Sequence, residues 1–340
     1  MKTIVLVAHG LRPAELGLYG AAWLPTPNLD RLASESVVFD QHFVDCPSSS
    51  TFRARYSLPE SKPIPSALPD GAKLVEYRGL LPPWDIPEEL LAEQFEDWPF
   101  EDDSTPWLGP PPGFIDRDDP VAFGRLRRTY AAAVRQFDDW LGELLERFTD
   151  ELMIVTSPRG QNLGEHGIIG DHRPWLHEEL VHVPLIVRLP NREQAGRRVG
   201  HLTQTVDIAA TVFDFCGFQP PADGHGYSLL PMCHGGGPLR EFVAMAHSCN
   251  GASELVLQTP DLKVILPTKT FPEDPPRPPM FFVKPDDRWD VNDLRQQNLD
   301  YAEQLERTLL DFTAANQRPG PLVAPPLPKR ETDHADRETR

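Results

Sequence analysis

Apolar residues in this chain are grouped in two rhythms that alternate along its length. The run from Thr3 to Ala8 is continuous and β-branched, the pattern of a strand buried on both faces of a parallel sheet. Further short runs at 36–39, 151–156 and 183–188 predict more strands, and the segment from Thr26 to Ala33 reads as a capped helix start. Between them, Leu126, Tyr130, Val134, Phe137, Leu141, Leu144 and Leu145 recur at three-and-four spacing and paint one face of a helix. Strand and helix in alternation predict an α/β doubly wound sheet. After about residue 240 the rhythm changes: strands near 252–266 and 279–283 and a helix over 297–314 predict a small C-terminal antiparallel unit. The expected organisation is an α/β domain over 1–240, a smaller α+β unit over 241–315, and a disordered tail over 316–340, where the chain turns Pro-rich and then charged.

One stretch breaks the pattern. Residues 59–113 hold twelve of the 38 prolines, and 85–119 carry twelve acids against the single base Arg117. The whole of 59–119 is therefore expected to be a Pro-rich acidic excursion, a surface loop or a disordered one. Overall, 33 bases against 51 acids give a net charge of −18. A nucleic-acid or anionic-membrane partner needs a basic surface, so both are excluded. The four cysteines, Cys46, Cys216, Cys233 and Cys249, have no paired spacing and are expected to be buried free thiols. No apolar run reaches membrane-spanning length, and Met1-Lys2 leads directly into the first strand, so the chain as given reads as cytoplasmic. Oligomeric state has no signature here.

Chemistry concentrates in the segment Thr156-Ser-Pro-Arg-Gly-Gln-Asn-Leu-Gly-Glu-His-Gly167. It resembles the sulfatase family, in which a strand ends in Thr-Ser-Asp-His-Gly (or Asn for His) and a Leu-Gly-Glu-His-Gly turn follows. Leu11-Arg-Pro13, Leu18-Tyr-Gly20, the loop from Gly224 to Leu230, and the stretch from Asp286 to Leu294 fit the same family. The resemblance covers most of the chain except 59–113, where the family carries a Lys-x-His pair and a further His that this chain lacks. It implies the alkaline-phosphatase and sulfatase fold: a doubly wound mixed sheet with a small C-terminal antiparallel sheet plus helix. It also implies sulfuric-ester hydrolysis supported by a divalent ion, calcium in relatives.

The family's metal ligands fall on four positions of this sequence. Two consecutive acids after the first strand are replaced by His9 and Gly10, and the Asp and His/Asn pair by Pro158 and Arg159. A hard cation wants six to eight oxygens, and these positions supply no carboxylate. A guanidinium about 4 Å from a dication would cost about 8 kcal/mol at a dielectric near 20. No divalent cofactor is therefore expected. The family's formylglycine nucleophile falls on Ser49, with Arg53 at the matching spacing, but Thr51 stands where the modifying system reads Pro. Ser49 and Arg53 are accordingly expected to be vestigial, and an N-cap role for the serines is the structural alternative. Asp171 takes the place of a sulfate-contacting Lys.

Two uses of the altered pocket remain open. Arg53 and Arg159, with Asp171 and His172, can hold a sulfated or phosphorylated small molecule or glycan without cleaving it. Alternatively, Arg159 pairs with Asp171 as a purely structural ion pair. A rebuilt zinc site from His9, Asp171 and His172 is a weaker third reading, since the spacing does not demand it. The function expected is a family protein that has lost metal-dependent hydrolysis. The competing reading is an active sulfuric- or phosphoric-ester hydrolase with a rebuilt site. A third class, a regulatory partner of an active homologue, rests on the acidic stretch.

Overall fold

In the computed structural model the strand from Thr3 to Ala8 (β1) is buried at every position, as its continuous apolar run requires. The structure describes residues 2–48, 69, 71–99, 105–219, 226–271, 274, 277–316 and 323–330. In chain order the other strands are Val37–Phe43 (β2), Ala72–Tyr77 (β3), Gly113–Phe114 (β4), Leu152–Thr156 (β5), Ile168–Ile169 (β6), Leu185–Arg188 (β7), Arg197–Gln204 (β8), Val243–Cys249 (β9), Ala252–Gln258 (β10), Leu262–Lys269 (β11) and Met280–Val283 (β12). The helices are Pro27–Ser34 (α1), Glu88–Phe95 (α2), Pro120–Arg147 (α3), Glu178–Val181 (α4), Val206–Phe215 (α5), Leu230–Cys233 (α6) and Leu299–Asn316 (α7).

The main sheet runs β3-β1-β5-β7-β2-β8. All its strands are parallel except β7, which is antiparallel to both β5 and β2. Period-two alternation sorts the side chains onto two faces. Ile4, Leu6, Met153, Val155 and Ile186 point to the layer built by α1 and α3, whereas Val5, Val7, Leu152, Ile154, Leu185 and Val187 point to the layer of α5 and α6. The predicted stripe of α3 is buried at Leu126, Tyr130, Val134, Phe137, Leu141 and Leu145. Asp119 caps that helix by accepting from the amides of Val121 and Ala122 at 3.0 Å.

The second sheet, β12-β11-β10-β9, is antiparallel throughout. One face packs on α7 through Leu257, Val264, Phe281, Leu305 and Leu309. Its other face meets the main domain through Met245, Val256, Ile265 and Phe282 against Phe43, Leu180 and Leu202. The fold is the alkaline-phosphatase and sulfatase type, with the small C-terminal sheet and helix in place.

Three expectations need correction. The acidic excursion is not all loop: β3 is the edge strand of the main sheet, and α2 packs beside α3. The C-terminal sheet has an additional strand, β9, ahead of the expected strands, and the last strand of the 252–266 region continues to Lys269. Of the four free thiols only Cys233 is fully buried; Cys46, Cys216 and Cys249 are partly exposed.

Candidate functional site

Parallel strands end on the same side of a sheet, so the loops after β1 and β5 meet. Gly10 N donates to Ser157 Oγ at 3.2 Å across that junction. His9, Gly10, Pro158 and Arg159, the four positions of the altered metal cradle, thus lie on two touching loops, and all four are buried.

Each is committed to the protein itself. His9 sits 3.0 Å from Glu76 on the edge strand β3, through Nε2 and Oε1. Gly10 has φ +92°, a left-handed conformation that L side chains rarely adopt, and a Cβ there would lie 2.9 Å from Leu81 Cδ2. Its carbonyl accepts from the Tyr130 hydroxyl at 2.7 Å. Arg159 is 6% exposed. Its guanidinium contacts both carboxylate oxygens of Asp171, and its Nε donates to Gly160 O at 3.1 Å. Gly160 is needed for close approach, since a Cβ there would sit 2.0 Å from Glu179 O.

Asp171 is the exposed partner, with 53% of its side-chain surface open against 8% for Arg159. Its carbonyl is held from the C-terminal sheet by Cys249 Sγ at 3.3 Å and Asn250 Nδ2 at 3.2 Å. His247 completes the surroundings: burial, and then the Arg159 charge, push its imidazole down to about 4. His172 turns away, its ring edge against Phe114 at 4.8 Å. Burial and then Arg173 lower its pKa. Ser49 and Arg53 lie outside the described residues.

The cradle does not fit a divalent ion. One position has no side chain, one is a proline, one is an imidazole engaged with a carboxylate, and one is a cation. Nor do the zinc candidates gather. His9 is with Glu76 and Asp171 is with Arg159, and among the described residues no group of three or more His, Cys, Asp or Glu could hold a metal.

Motif residues that match the family serve the frame. Fully buried Arg12 is clamped by Glu15 and by Glu165 of the Leu-Gly-Glu-His-Gly turn, and donates to Gln161 O at 3.0 Å. Burial alone would pull its pKa down, but the two carboxylates outweigh that and hold it well above the usual value. His166 bridges the two sheets' neighbourhoods, with Nδ1 2.7 Å from Glu179 and Nε2 3.2 Å from the carbonyl of Asp290. Glu76 and His247 went unnoticed in the sequence, and Tyr130 was read only as part of the helical stripe, because each reaches the cradle from an element distant along the chain. Gln161 also went unnoticed. It is 2% exposed, and neither amide atom has a hydrogen-bond partner.

The Arg159–Asp171 pair makes an asymmetric prediction. Asp171→Asn strands a buried guanidinium and is expected to cost about 2 kcal/mol, whereas Arg159→Met leaves a carboxylate that water can solvate and is expected to cost under about 1 kcal/mol. Urea unfolding of both variants checks this; equal losses would mean that the burial difference is not expressed in stability.

Comparisons place this geometry. A family profile described as "N-sulphoglucosamine sulphohydrolase, C-terminal" matches residues 164–242. The chain is 35% identical over 116 residues to an N-acetylglucosamine-6-O-sulfatase of Bacteroides thetaiotaomicron, a match covering 32% of this chain and 20% of that one. It is 31% identical over 113 residues to human arylsulfatase K, covering 32% and 20%. The matched segment thus spans about a fifth of each of these relatives. In three dimensions the chain is similar to a protein solved in complex with its substrate D-glucosamine-2-N,6-O-disulfate, with a TM-score of 0.72 and 17% identity over 93% of this chain and 97% of that chain. It is also similar to the phosphonate monoester hydrolase of Agrobacterium radiobacter, with a TM-score of 0.64 and 16% identity over 93% and 96%. Together with the retained Thr-Ser turn, the Leu-Gly-Glu-His-Gly turn and the two-sheet architecture, these matches make the chain similar to the sulfatases, in sequence over residues 164–242 and in fold over most of its length.

Proposed function

We propose that this chain is a sulfatase-family binding protein that has given up metal-dependent ester hydrolysis and takes a sulfated sugar as its ligand. The observation that carries the first half is the Arg159–Asp171 pair. The sulfatase motif holds a neutral metal ligand, His or Asn, at the position of Arg159 and a sulfate-contacting Lys at the position of Asp171, so one position gains a positive charge as the other exchanges its positive charge for a negative one. A metal and a cation once balanced sulfate; here a guanidinium and a carboxylate balance each other. With no dication to polarise a nucleophile or neutralise the ester, the largest contributions to rate are gone. A sulfated sugar is favoured because the substrate-bound structural neighbour and the bacterial relative both act on sulfated glucosamines.

The pocket that remains is suited to holding an anion weakly rather than activating it. Asp171 engages both terminal nitrogens of the Arg159 guanidinium, so an incoming sulfate must displace a carboxylate to reach them. Cytoplasmic residence belongs to the same proposal; among the described residues no helix is long and apolar enough to cross a membrane.

The test is metal content and turnover on one preparation. Elemental mass spectrometry after dialysis against calcium or magnesium is expected to give well under one ion per chain. Aryl sulfate and aryl phosphate are expected to turn over at background rates with added metal. A stoichiometric ion, or turnover that His9→Ala abolishes, would overturn the proposal.

A further inference from the structure

Across His172 from the cradle lies a cleft of ≈ 230 Å³ whose walls are largely apolar: Phe114, Pro174, Trp175, Ala252 and Pro267. Pockets for drug-sized ligands run to about 300–1,000 Å³, so this one has room for a single ring. Phe114 offers its ring as a floor. It stands in the two-stranded antiparallel pair β4–β6 and is 62% exposed, an unusual investment for a large aromatic in an acidic protein.

Charge decides what such a ring must carry. Two arginines in the cleft are already neutralised. Arg173 donates to Asp274 through Nε and one terminal nitrogen at 2.7 and 2.9 Å, and Arg277 is paired with Glu254. Both guanidinia also lie over aromatic faces: Arg173 is 4.2 Å from the Phe271 centroid and Arg277 is 3.6 Å from that of Trp175. Lys269, exposed at the end of β11, has no carboxylate partner among the described residues. Among the described residues the cleft therefore presents one unneutralised cation, on a molecule whose net charge is −18. Acceptors for hydroxyl groups are present too, in the Asp274 carboxylate and the Thr270 hydroxyl.

From these features we infer that the cleft is a subsite for an acidic sugar ring bearing a carboxylate. The apolar C–H face of the pyranose lies on Phe114, the carboxylate pairs with Lys269, and ring hydroxyls donate to Asp274 and Thr270. Its position beside Asp171 and His172 makes it the seat of a neighbouring residue in a glycan whose sulfated sugar faces the cradle. The inference rests on the glycan-binding half of the proposed function and does not depend on whether hydrolysis has been lost.

Isothermal titration of the full chain tests it with an unsulfated glucuronate-containing disaccharide and its counterpart reduced to the neutral sugar. Lys269→Glu is expected to weaken the acidic disaccharide about tenfold and Phe114→Ala about fivefold, each from loss of one exposed contact. Both side chains are solvent-exposed, and unfolding midpoints are expected to stay at the wild-type value. The neutral counterpart is expected to bind no better to wild type than the acidic sugar binds to Lys269→Glu. Equal affinity for neutral and acidic sugars, variants within twofold of wild type, or no heat with either sugar would overturn the subsite. A sulfated monosaccharide titrated in parallel separates the two readings. Its failure alone would sink the ligand assigned to the cradle and leave the cleft standing.

Discussion

Replacing Asp290 by Asn is expected to cost about 3–5 kcal/mol of folding stability. Asp290 is 3% exposed and is reached by two buried ammonium groups: Lys263 Nζ at 2.6 Å and Lys284 Nζ at 2.7 Å. It also accepts from the amide of Glu178 at 3.1 Å and lies 3.4 Å from His177. Burial alone would raise its pKa, but Lys263 and its other partners hold the carboxyl well below the usual range. Asn keeps the size, and it tolerates the positive φ of 56° at this position. The substitution therefore removes charge and little else, and Lys263 and Lys284 are left sharing Glu178, whose Oε2 lies 4.0 and 3.4 Å away.

The location explains why the loss should be global. Lys263 comes from β11, Lys284 follows β12, and Glu178 begins α4 in the main domain. The cluster is a buried rivet between the C-terminal sheet and the segment that follows the cradle. Lys263→Met, which still leaves Lys284 between Asp290 and Glu178, is expected to cost less than Asp290→Asn. Urea midpoints at neutral pH decide the matter; a change under about 1 kcal/mol for Asp290→Asn would show that the site relaxes or hydrates in a way that the buried geometry does not anticipate.

Much of this architecture was legible because burial on both faces leaves an unmistakable signature. The β1 and β5 runs have no polar position to spare, and the stripe on α3 has one face to hide. Where a strand lies at an edge the signal fades. In β3, Ala-Lys-Leu-Val-Glu-Tyr carries two charges and sits inside a Pro-rich acidic stretch, so composition hid an element that pairs along the full length of β1. In β9 the sequence Val-Ala-Met-Ala-His-Ser-Cys is poor in branched residues and becomes a strand through its pairing with β10. At the site, spacing exposed the altered charges of Arg159 and Asp171 and their option to pair. It could not expose Glu76 beside His9, or His247 beside Arg159, since those contacts exist only once the edge strand and the second sheet have docked.

Mild acid is expected to unfold this protein, and histidines rather than carboxylates should start the process. Burial, aided by His182 and Arg240, pushes the His42 imidazole down to about 3. Burial and Arg159 bring His247 to about 4, and burial holds His177 well below its ordinary value against the pull of Asp290. In the unfolded chain all three titrate near 6.5. A depressed imidazole contributes its stability above that value, and the contribution falls as pH drops from 6.5 toward the folded pKa. Each group therefore removes about 1.4 kcal/mol per pH unit in this window. His166 stays out of this window: burial pulls its pKa down but Glu179 outweighs that and raises it, so its contribution is lost only as pH rises above about 6.5. The three depressed imidazoles together give a slope of about 4 kcal/mol per unit between pH 6 and 4.5. Below that, Glu178, held at about 2 by its lysine and histidine partners against the opposing effect of burial, extends the loss. His42 supplies the internal control. Its Nδ1 is 2.9 Å from Thr203 Oγ1 and its Nε2 has no partner, so His42→Gln keeps a polar group at this site while removing the titration. The variant is expected to flatten the pH dependence of the urea midpoint by about 1.4 kcal/mol per unit. A wild-type midpoint that does not move between pH 7.5 and 5, or a variant slope equal to wild type, would assign acid sensitivity to groups other than these buried imidazoles.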